Sequence, residues 1–395
     1  MKRVIISILI CFPLVGMGQK KIIAQAKDYI KSGKNLNKAE VLMADLLKDS
    51  VSRKNEQVWL LLFEAQQKQY EQGNEKLYLK EKYDTAALFL MGRRMFATLE
   101  GLDSLEMIPD AKGRVRLKNR EHSAEVLNQY RPNLFNGGVF FLKKQDFAHA
   151  FDFFDTYIAC ASKPMFARFR YGEWDKLMPQ AAYWATYCGY KMQQPQLTLR
   201  HVYLALKDTA REVYLLQYLA ETYKLEKDTA RYVQTLREGF EKFPTSPFFF
   251  PHLISYYGQE NAYEKALETC NRALQVDSTN RIFRFAKGSL LLTMGRYQES
   301  LDINKALIAD NDTLPDIYLN AGLALFNQAI ELDKNVQVSQ KARNRILDFY
   351  RNALPYLEKY RALAPQQKEK WALPLYTIYL NLNMGKQFDE IDKLL

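Results

Sequence analysis

An all-α solenoid (an α-α superhelix of paired helices) is the fold this sequence predicts, on three observations. The segments LAETY, LISYY, KGSLL and AGLAL start at positions 219, 253, 287 and 321, a constant step along the chain. Small or apolar residues hold that register at Ala220, Ile254, Gly288 and Gly322. A second set recurs downstream of them: Tyr232, Ala266 and Ser300 at +12, Leu236, Cys270 and Asn304 at +16, Gly239, Ala273 and Leu307 at +19. Pro244, Ser278 and Asp312 close the units. Self-similarity at a fixed period of this length marks stacked supersecondary units.

Composition agrees. The chain has 395 residues, 48% hydrophobic and 13% aromatic, far too aromatic for a disordered polymer. Lys and Arg outnumber Asp and Glu by 56 to 45, a formal net charge of +11 spread along the chain. That excess favours acidic partners weakly. No recognition motif accompanies it, so nucleic-acid binding is not expected.

The first residues, MKRVIISILICFPLVGMGQKK, read as an export signal. Lys2 and Arg3 form a basic start, and Val4 to Val15 is an apolar core too short to span a bilayer comfortably. Gly16-Met17-Gly18 supplies a small-x-small cleavage pattern. The expectation is a signal peptide over 1–18 and delivery to the periplasm or cell envelope; an uncleaved anchor and a buried first helix are the alternatives. Ile10, before Cys11, is not the small residue a lipoprotein signal needs. No later run approaches about 18 uninterrupted apolar residues, so no transmembrane span is expected. Cys160, Cys188 and Cys270 are an odd set without framework spacing and read as small buried hydrophobes.

Residues 19–110 read as an N-terminal helical section. At 26–47, Ala26 and Tyr29 pair with Ala39, which stands at +13 from Ala26 rather than +12 and needs a longer turn. The stretch 57–96 is helical in pattern but off register. A break follows at 101–120, with Pro109, Gly113 and the basic run Lys112, Arg114, Arg116, Lys118 and Arg120. It reads as a solvated connector, and 111–130 is assigned to basic linker and helix.

The array proper spans 131–365. Its first unit has Gly138 and Phe141 on its first helix (A), then Ala150, Phe154 and Tyr157 on its second (B), with Pro164 two residues late. At 181–206 the pattern loosens, with Arg200 where helix B calls for alanine. The last full unit carries a 19-residue insertion over about 323–352, because the match to Gly322 is Ala353, at +31 rather than +12. Helix A then runs on through ALFNQAIELDK, and helix B starts early, with Ala342, Ile346, Phe349, Ala353 and Leu357 on one face. Sharing the insertion lengthens each helix by roughly nine residues, about 14 Å. Pro355 falls inside helix B, where it threatens a kink. Residues 366–395 close the array as capping helices.

This register resembles the tetratricopeptide repeat, an antiparallel helix pair of about 34 residues. The resemblance covers roughly 250 residues and is strongest over 211–312. The family pattern places a small residue where helix A crosses helix B, because helices approach closely only where side chains are small. Proline ends helix B because it lacks the amide donor. The resemblance implies a groove lined by A helices, three before, one after and four after the crossing residue. Those positions are Gln217, Glu221 and Lys224; Pro251, Ser255 and Gly258; Phe285, Ser289 and Leu292; and Leu319, Leu323 and Phe326. Tyr214 and Phe248 lie six before their crossing residues. The lysine and asparagine set with which some members grip a C-terminal carboxylate is missing. The candidate partner-binding residues are Tyr214, Gln217, Phe248, His252, Phe285, Leu323 and Phe326. They form an apolar and aromatic surface suited to an extended or helical peptide.

Catalytic motifs are missing. His122, His149, His201 and His252 have no metal-ligand spacing. No phosphate-binding glycine loop or nucleophile elbow occurs. Asp310-Asn311-Asp312 suggests a calcium loop, but Pro315 stands where its glycine belongs. The sequence therefore reads as a non-enzyme without metal or cofactor. Two functions follow: an exported scaffold for a protein or peptide partner, or a glycan-binding envelope protein using Tyr171, Trp174, Tyr183 and Trp184. In SPFFFPHLISYY at 246–257, Phe250, Leu253, Ile254 and Tyr257 take packing positions. Pro251, four positions after Pro247, predicts a helix start near 251, with Phe248 and Phe249 in a non-helical lead-in.

Overall fold

The computed structural model describes residues 14–310, 314–334 and 339–395, with side chains from residue 18 onward. Among these residues all regular secondary structure is helical. The chain forms two compact units, Met1–Glu226 and Lys227–Leu395.

The first unit opens with two hairpins: α1 (Leu14–Ser32) with α2 (Leu36–Leu46), then α3 (Glu56–Tyr78) with α4 (Thr85–Glu106). Ala26, Ile30, Ala39 and Met43 bury an apolar cluster with Val58 and Leu62. Residues 1–13 of the expected signal peptide lie outside the described residues, and α1 continues past Gly18. Among the described residues no helix is long and apolar enough to cross a membrane. The next hairpin joins α5 (Arg120–Lys143) to α6 (Phe147–Ala159). Helix α5 is continuous across residue 131, the expected start of the array. Gly137 and Gly138 let α6 come close: a Cβ there would lie 2.5 Å from the Phe153 ring and 2.7 Å from the Phe154 ring.

The pattern then breaks. A short α7 (Tyr171–Trp174) precedes α8 (Met178–Lys191), and the segment after α8 is split into α9 (Pro195–Leu199) and α10 (Val202–Ala205) before α11 (Glu212–Leu225). Arg200 and His201 sit between the two short helices, and both reach Asp155 of α6, at 3.3 and 2.7 Å. Polar side chains that seek a carboxylate here replace the small residue that continuous packing needs.

The second unit holds the regular hairpins. They are α12 (Thr229–Lys242), α13 (Phe249–Gln259), α14 (Tyr263–Val276), α15 (Arg281–Thr293) and α16 (Tyr297–Ala309). Helices α12, α14 and α16 start at Thr229, Tyr263 and Tyr297, the same constant step as the sequence register. Gly288 on α15 crosses α16 where its carbonyl accepts the Ser300 hydroxyl at 2.7 Å, and the Asn304 amide donates to the Ser300 carbonyl at 2.7 Å. A helix-ending signal missed in the sequence also keeps the period. Asn261 and Gly295 adopt left-handed φ of 54° and 75° at the hairpin turns. The next amide donates five residues back, Ala262 to Tyr257 at 2.8 Å and Arg296 to Leu291 at 2.9 Å. This is the Schellman closure, which satisfies carbonyls that a helix end leaves free. Gln145 and Gln193 close hairpins of the first unit the same way, at φ of 60° and 54°.

Helix α13 begins at Phe249, two residues before the expected point. Pro251 is therefore the third helical residue, where its missing amide had no intrahelical acceptor to lose. The predicted clash needs a helical Pro247, but Pro247 and Phe248 lie in a turn. Phe249 is helical and fully buried rather than part of a lead-in. The unit ends with α17 (Pro315–Lys334), α18 (Gln340–Leu363), α19 (Lys368–Asn381) and α20 (Gly385–Asp392). A Cβ on Gly322 of α17 would lie 2.6 Å from Leu357 of α18. Pro355 sits within α18 without ending it.

Cys160, Cys188 and Cys270 are buried and unpaired, and burial pushes each thiol up to about 12.

Candidate functional site

The broken repeat of the first unit carries an aromatic face. Helix α8 places Trp184, Tyr187 and Tyr190 at every third position, each half-buried. Helix α11 packs against α8 and adds Tyr214 and Tyr218. The rings interlock. Tyr218 stacks on Tyr190 at 4.7 Å and tilts against Tyr187 at 5.4 Å. Trp184 meets Tyr187 edge-on at 5.9 Å, and Phe147 of α6 meets it at 6.0 Å. Two cations flank the face: Arg211 lies 5.8 Å from the Trp184 ring and Lys191 lies 6.0 Å from the Tyr187 ring. Such separations hold a cation on a ring face.

A cleft of about 260 Å³ opens beside this face, lined by Tyr190, Lys191, Gln194, Thr198, Glu221 and Leu225 among others. Beside it Gly189 lets α8 meet the backbone of α9; a Cβ there would lie 2.4 Å from the Thr198 nitrogen. Burial raises the phenols of Tyr183, Tyr190 and Tyr218 above their ordinary range, so they stay protonated. The face therefore offers hydroxyl groups, ring faces and two flanking cations. It suits binding of apolar and planar groups. Among the described residues no group of three His, Cys, Asp or Glu side chains could hold a metal ion.

A buried charge pins the same region. Arg131 of α5 is 6% exposed. Its guanidinium lies 3.7 Å from both the Tyr157 and the Tyr171 ring centroids and reaches Asp175 at 2.7 Å. Tyr157 donates to Asp175 at 2.6 Å, and Tyr171 donates to Asn128 at 2.6 Å. This node ties the irregular 164–177 segment to α5 and α6. It also consumes Tyr171, one of the four aromatics considered for a glycan. Tyr183 is buried as well, whereas Trp174 is exposed and Trp184 half-buried. Those four side chains do not form one open platform.

The seven candidate residues divide between the units. In the first, Tyr214 (52% exposed) and Gln217 lie one turn apart on α11, the helix of the aromatic face. In the second, Phe248 precedes α13 and His252 lies on it; His252 Nδ1 donates to the Phe248 carbonyl at 2.7 Å, and their rings are 4.2 Å apart. Phe285 is half-buried on α15. Leu323 and Phe326 of α17 pack on the C-terminal core, with Phe326 5.9 Å from the Tyr350 ring of α18. These two are largely engaged within their own hairpin. Tyr187, Tyr190 and Tyr218 were not among the candidates. Their signal in the sequence was an aromatic at every third position of α8 and a second tyrosine four positions after Tyr214.

No family model matches the chain, and no curated protein matches it. Several solved structures are similar. One is the C-terminal part of a tetratricopeptide-repeat-containing protein from Cytophaga hutchinsonii, 14% identical, covering 66% of this chain and 93% of that one, at a TM-score of 0.44. Another is a tetratricopeptide repeat protein from Parabacteroides merdae, 17% identical, covering 67% and 98%, at 0.37. A third, from Bacteroides fragilis, is 15% identical and covers 67% and 99%, at 0.30. Likeness at this level lends no weight of its own. The fold rests on the helix pairs themselves, their constant spacing and the glycine crossings at Gly138, Gly288 and Gly322. By that architecture the chain has an all-helical solenoid fold of tetratricopeptide-like hairpins.

Proposed function

We propose that this protein is a non-catalytic scaffold, exported to the bacterial cell envelope, that holds a protein or peptide partner. The observation that carries the reading is the half-buried aromatic face of α8 and α11, with its adjoining cleft and flanking Lys191 and Arg211. Tyr and Trp held rigidly by neighbours expose contact area at little entropic cost, the usual character of interface anchors. The candidate residues Tyr214 and Gln217 extend this face along α11. Phe248, His252 and Phe285 would add contacts in the second unit.

Affinity capture from envelope extracts, with the full chain as bait, tests the proposal. A stoichiometric protein should be recovered by the wild type, and Tyr187→Ala should weaken its binding by about 2 kcal/mol, near thirtyfold in Kd. Repeated capture with no such partner would sink the reading. Fractionation of the producing cells tests export: an uncleaved chain in the cytoplasm counts against it. Glycan binding is a second reading, favoured by the row Trp184, Tyr187 and Tyr190. It requires an oligosaccharide that changes tryptophan fluorescence on titration, and a glycan array without hits would remove it.

A further inference from the structure

The basic run of the connector is built into a fixed cleft that the partner-binding face does not use. The segment between α4 and α5 is pinned at both ends. At one end, Asp110 accepts the main-chain amides of Lys112 and Arg114 on its Oδ1, at 2.8 and 3.0 Å, and its own amide donates to the Arg114 carbonyl at 2.9 Å. At the other, Glu106 accepts the Asn119 main-chain and side-chain amides, and Arg120 reaches Asp103 at 2.6 Å. Between these pins, residues 114–117 form neither helix nor turn. Val115, Arg116 and Leu117 have no main-chain hydrogen-bond partner among the described residues.

The cleft beside this segment has a volume of about 580 Å³. Leu105, Ile108 and Pro109 form its apolar side, and Arg114, Arg116 and Lys118 form its basic side. Ile108 is 64% and Val115 49% exposed. The basic side chains have weak partners: Arg114 and Arg116 share Asp110 at 3.2 and 3.6 Å, and Lys118 meets Glu56 at 3.5 Å. All three cations are more than half exposed, so these pairs contribute little and exchange readily. In an extended chain successive side chains alternate between faces. Arg114, Arg116 and Lys118 all line the cleft, whereas Val115 and Leu117 between them do not.

We propose that this connector binds an extended acidic peptide segment of a partner protein. The partner's main chain pairs with 115–117, its carboxylates engage Arg114, Arg116 and Lys118, and its apolar side chains cover Val115 and Leu117. Addition of a strand to a free edge supplies affinity through main-chain hydrogen bonds, and charge complementarity selects the partner. A membrane surface fits less well. The site is concave, Glu56 and Asp110 lie in its lining, and a bilayer offers no strand to a free edge.

The test titrates the full chain with a fluorescein-labelled peptide of alternating glutamate and valine, read by anisotropy. The acidic peptide should bind, more weakly as salt rises, and a lysine-valine peptide of equal length should not. The exposed double variant Arg114→Glu/Arg116→Glu should bind it at least tenfold more weakly, with an unchanged thermal unfolding curve. N-methylation of the peptide on either its glutamates or its valines should cost one of the two versions at least tenfold; no loss in either would overturn the strand pairing. No binding by the wild type, or equal binding by the charge-reversed chain, overturns the proposal. Charge-dependent binding to phosphatidylglycerol vesicles without peptide binding would overturn it in favour of a lipid surface.

Discussion

Gly288 and Gly189 both lie where two helical segments touch, yet they meet different neighbours. Gly288, in the regular hairpin of α15 and α16, faces the end of the Asn304 side chain, 2.9 Å from where a Cβ would stand. Gly189, in the broken repeat, faces the backbone of α9 at 2.4 Å. The regular hairpin is closed by side chains that interdigitate along a continuous helix B. The broken one is closed by backbone contact, a buried Arg131–Asp175 pair and the Asp155 pairs with Arg200 and His201. In the regular hairpins of the second unit the repeat positions are occupied by packing: Phe250, Leu253, Ala266, Cys270 and Leu291 are buried. Where the repeat fails, tyrosines left over from packing gather on one face beside a cleft. The departure from the repeat, more than the repeat, marks the candidate site.

The largest expected effect lies in the broken region. Arg131→Met leaves Asp175 without its cation in a buried setting and should cost about 3–5 kcal/mol, read by urea unfolding. A loss below about 1 kcal/mol would mean that Asp175 finds another partner, and the region would then be no more constrained than the regular hairpins. Next come the two glycines. Gly189→Ala should cost about 2–3 kcal/mol, since backbone cannot move aside as a side chain can. Gly288→Ala should cost about 1 kcal/mol or less, because the Asn304 amide can swing and alanine regains helix propensity. The reverse order would break the comparison between the two regions.

A pH dependence should single out the broken region too. Burial raises the Asp155 carboxyl pKa, but the hydrogen bond from His201 and the charges of Arg200, His201 and Arg93 outweigh it, so the group sits below its ordinary value. A carboxyl depressed in the folded state adds stability that is complete above its unfolded pKa. That stability is lost as pH falls through the lower folded value. Asp155→Asn should therefore lower stability at neutral pH and flatten its decline on the acid side, measured by urea midpoints across that range. An acid limb as steep as that of the wild type would show that Asp155 does not carry it. The smallest effect is at the hairpin turns. Gln145→Gly and Gln193→Gly remove left-handed strain and should each stabilise by about 0.5–1 kcal/mol. Thermal unfolding would show no gain if the glutamine side chains compensate through contacts of their own.

Much of the fold was legible because a repeat states its packing many times. Small residues at Gly138, Gly288 and Gly322, and their ring, amide or leucine partners, follow from one register. The start of α13 departs from the sequence expectation because the Pro247–Pro251 clash exists only if both lie within one helix. The turn positions Asn261 and Gly295 are not legible as equivalents in the sequence, because asparagine and glycine share a role only through their left-handed φ. The aromatic face was legible only in part. Tyr214 followed from the register, but Tyr187, Tyr190 and Tyr218 gain meaning from the approach of α11 to α8, which no local spacing encodes. Phe326 looked free in the sequence because its neighbour Tyr350 lies on the next helix, α18, far along the chain.

The most direct measurement is site-specific photo-crosslinking in the producing cells. A benzophenone side chain would be placed at Tyr187 and, as a control, at the exposed Glu268 on α14. One stoichiometric protein adduct at 187, missing at 268 and weakened by Trp184→Ala, is the expected result. Adducts of equal yield at both positions, or none at 187, would contradict a partner-binding role for the face of α8 and α11.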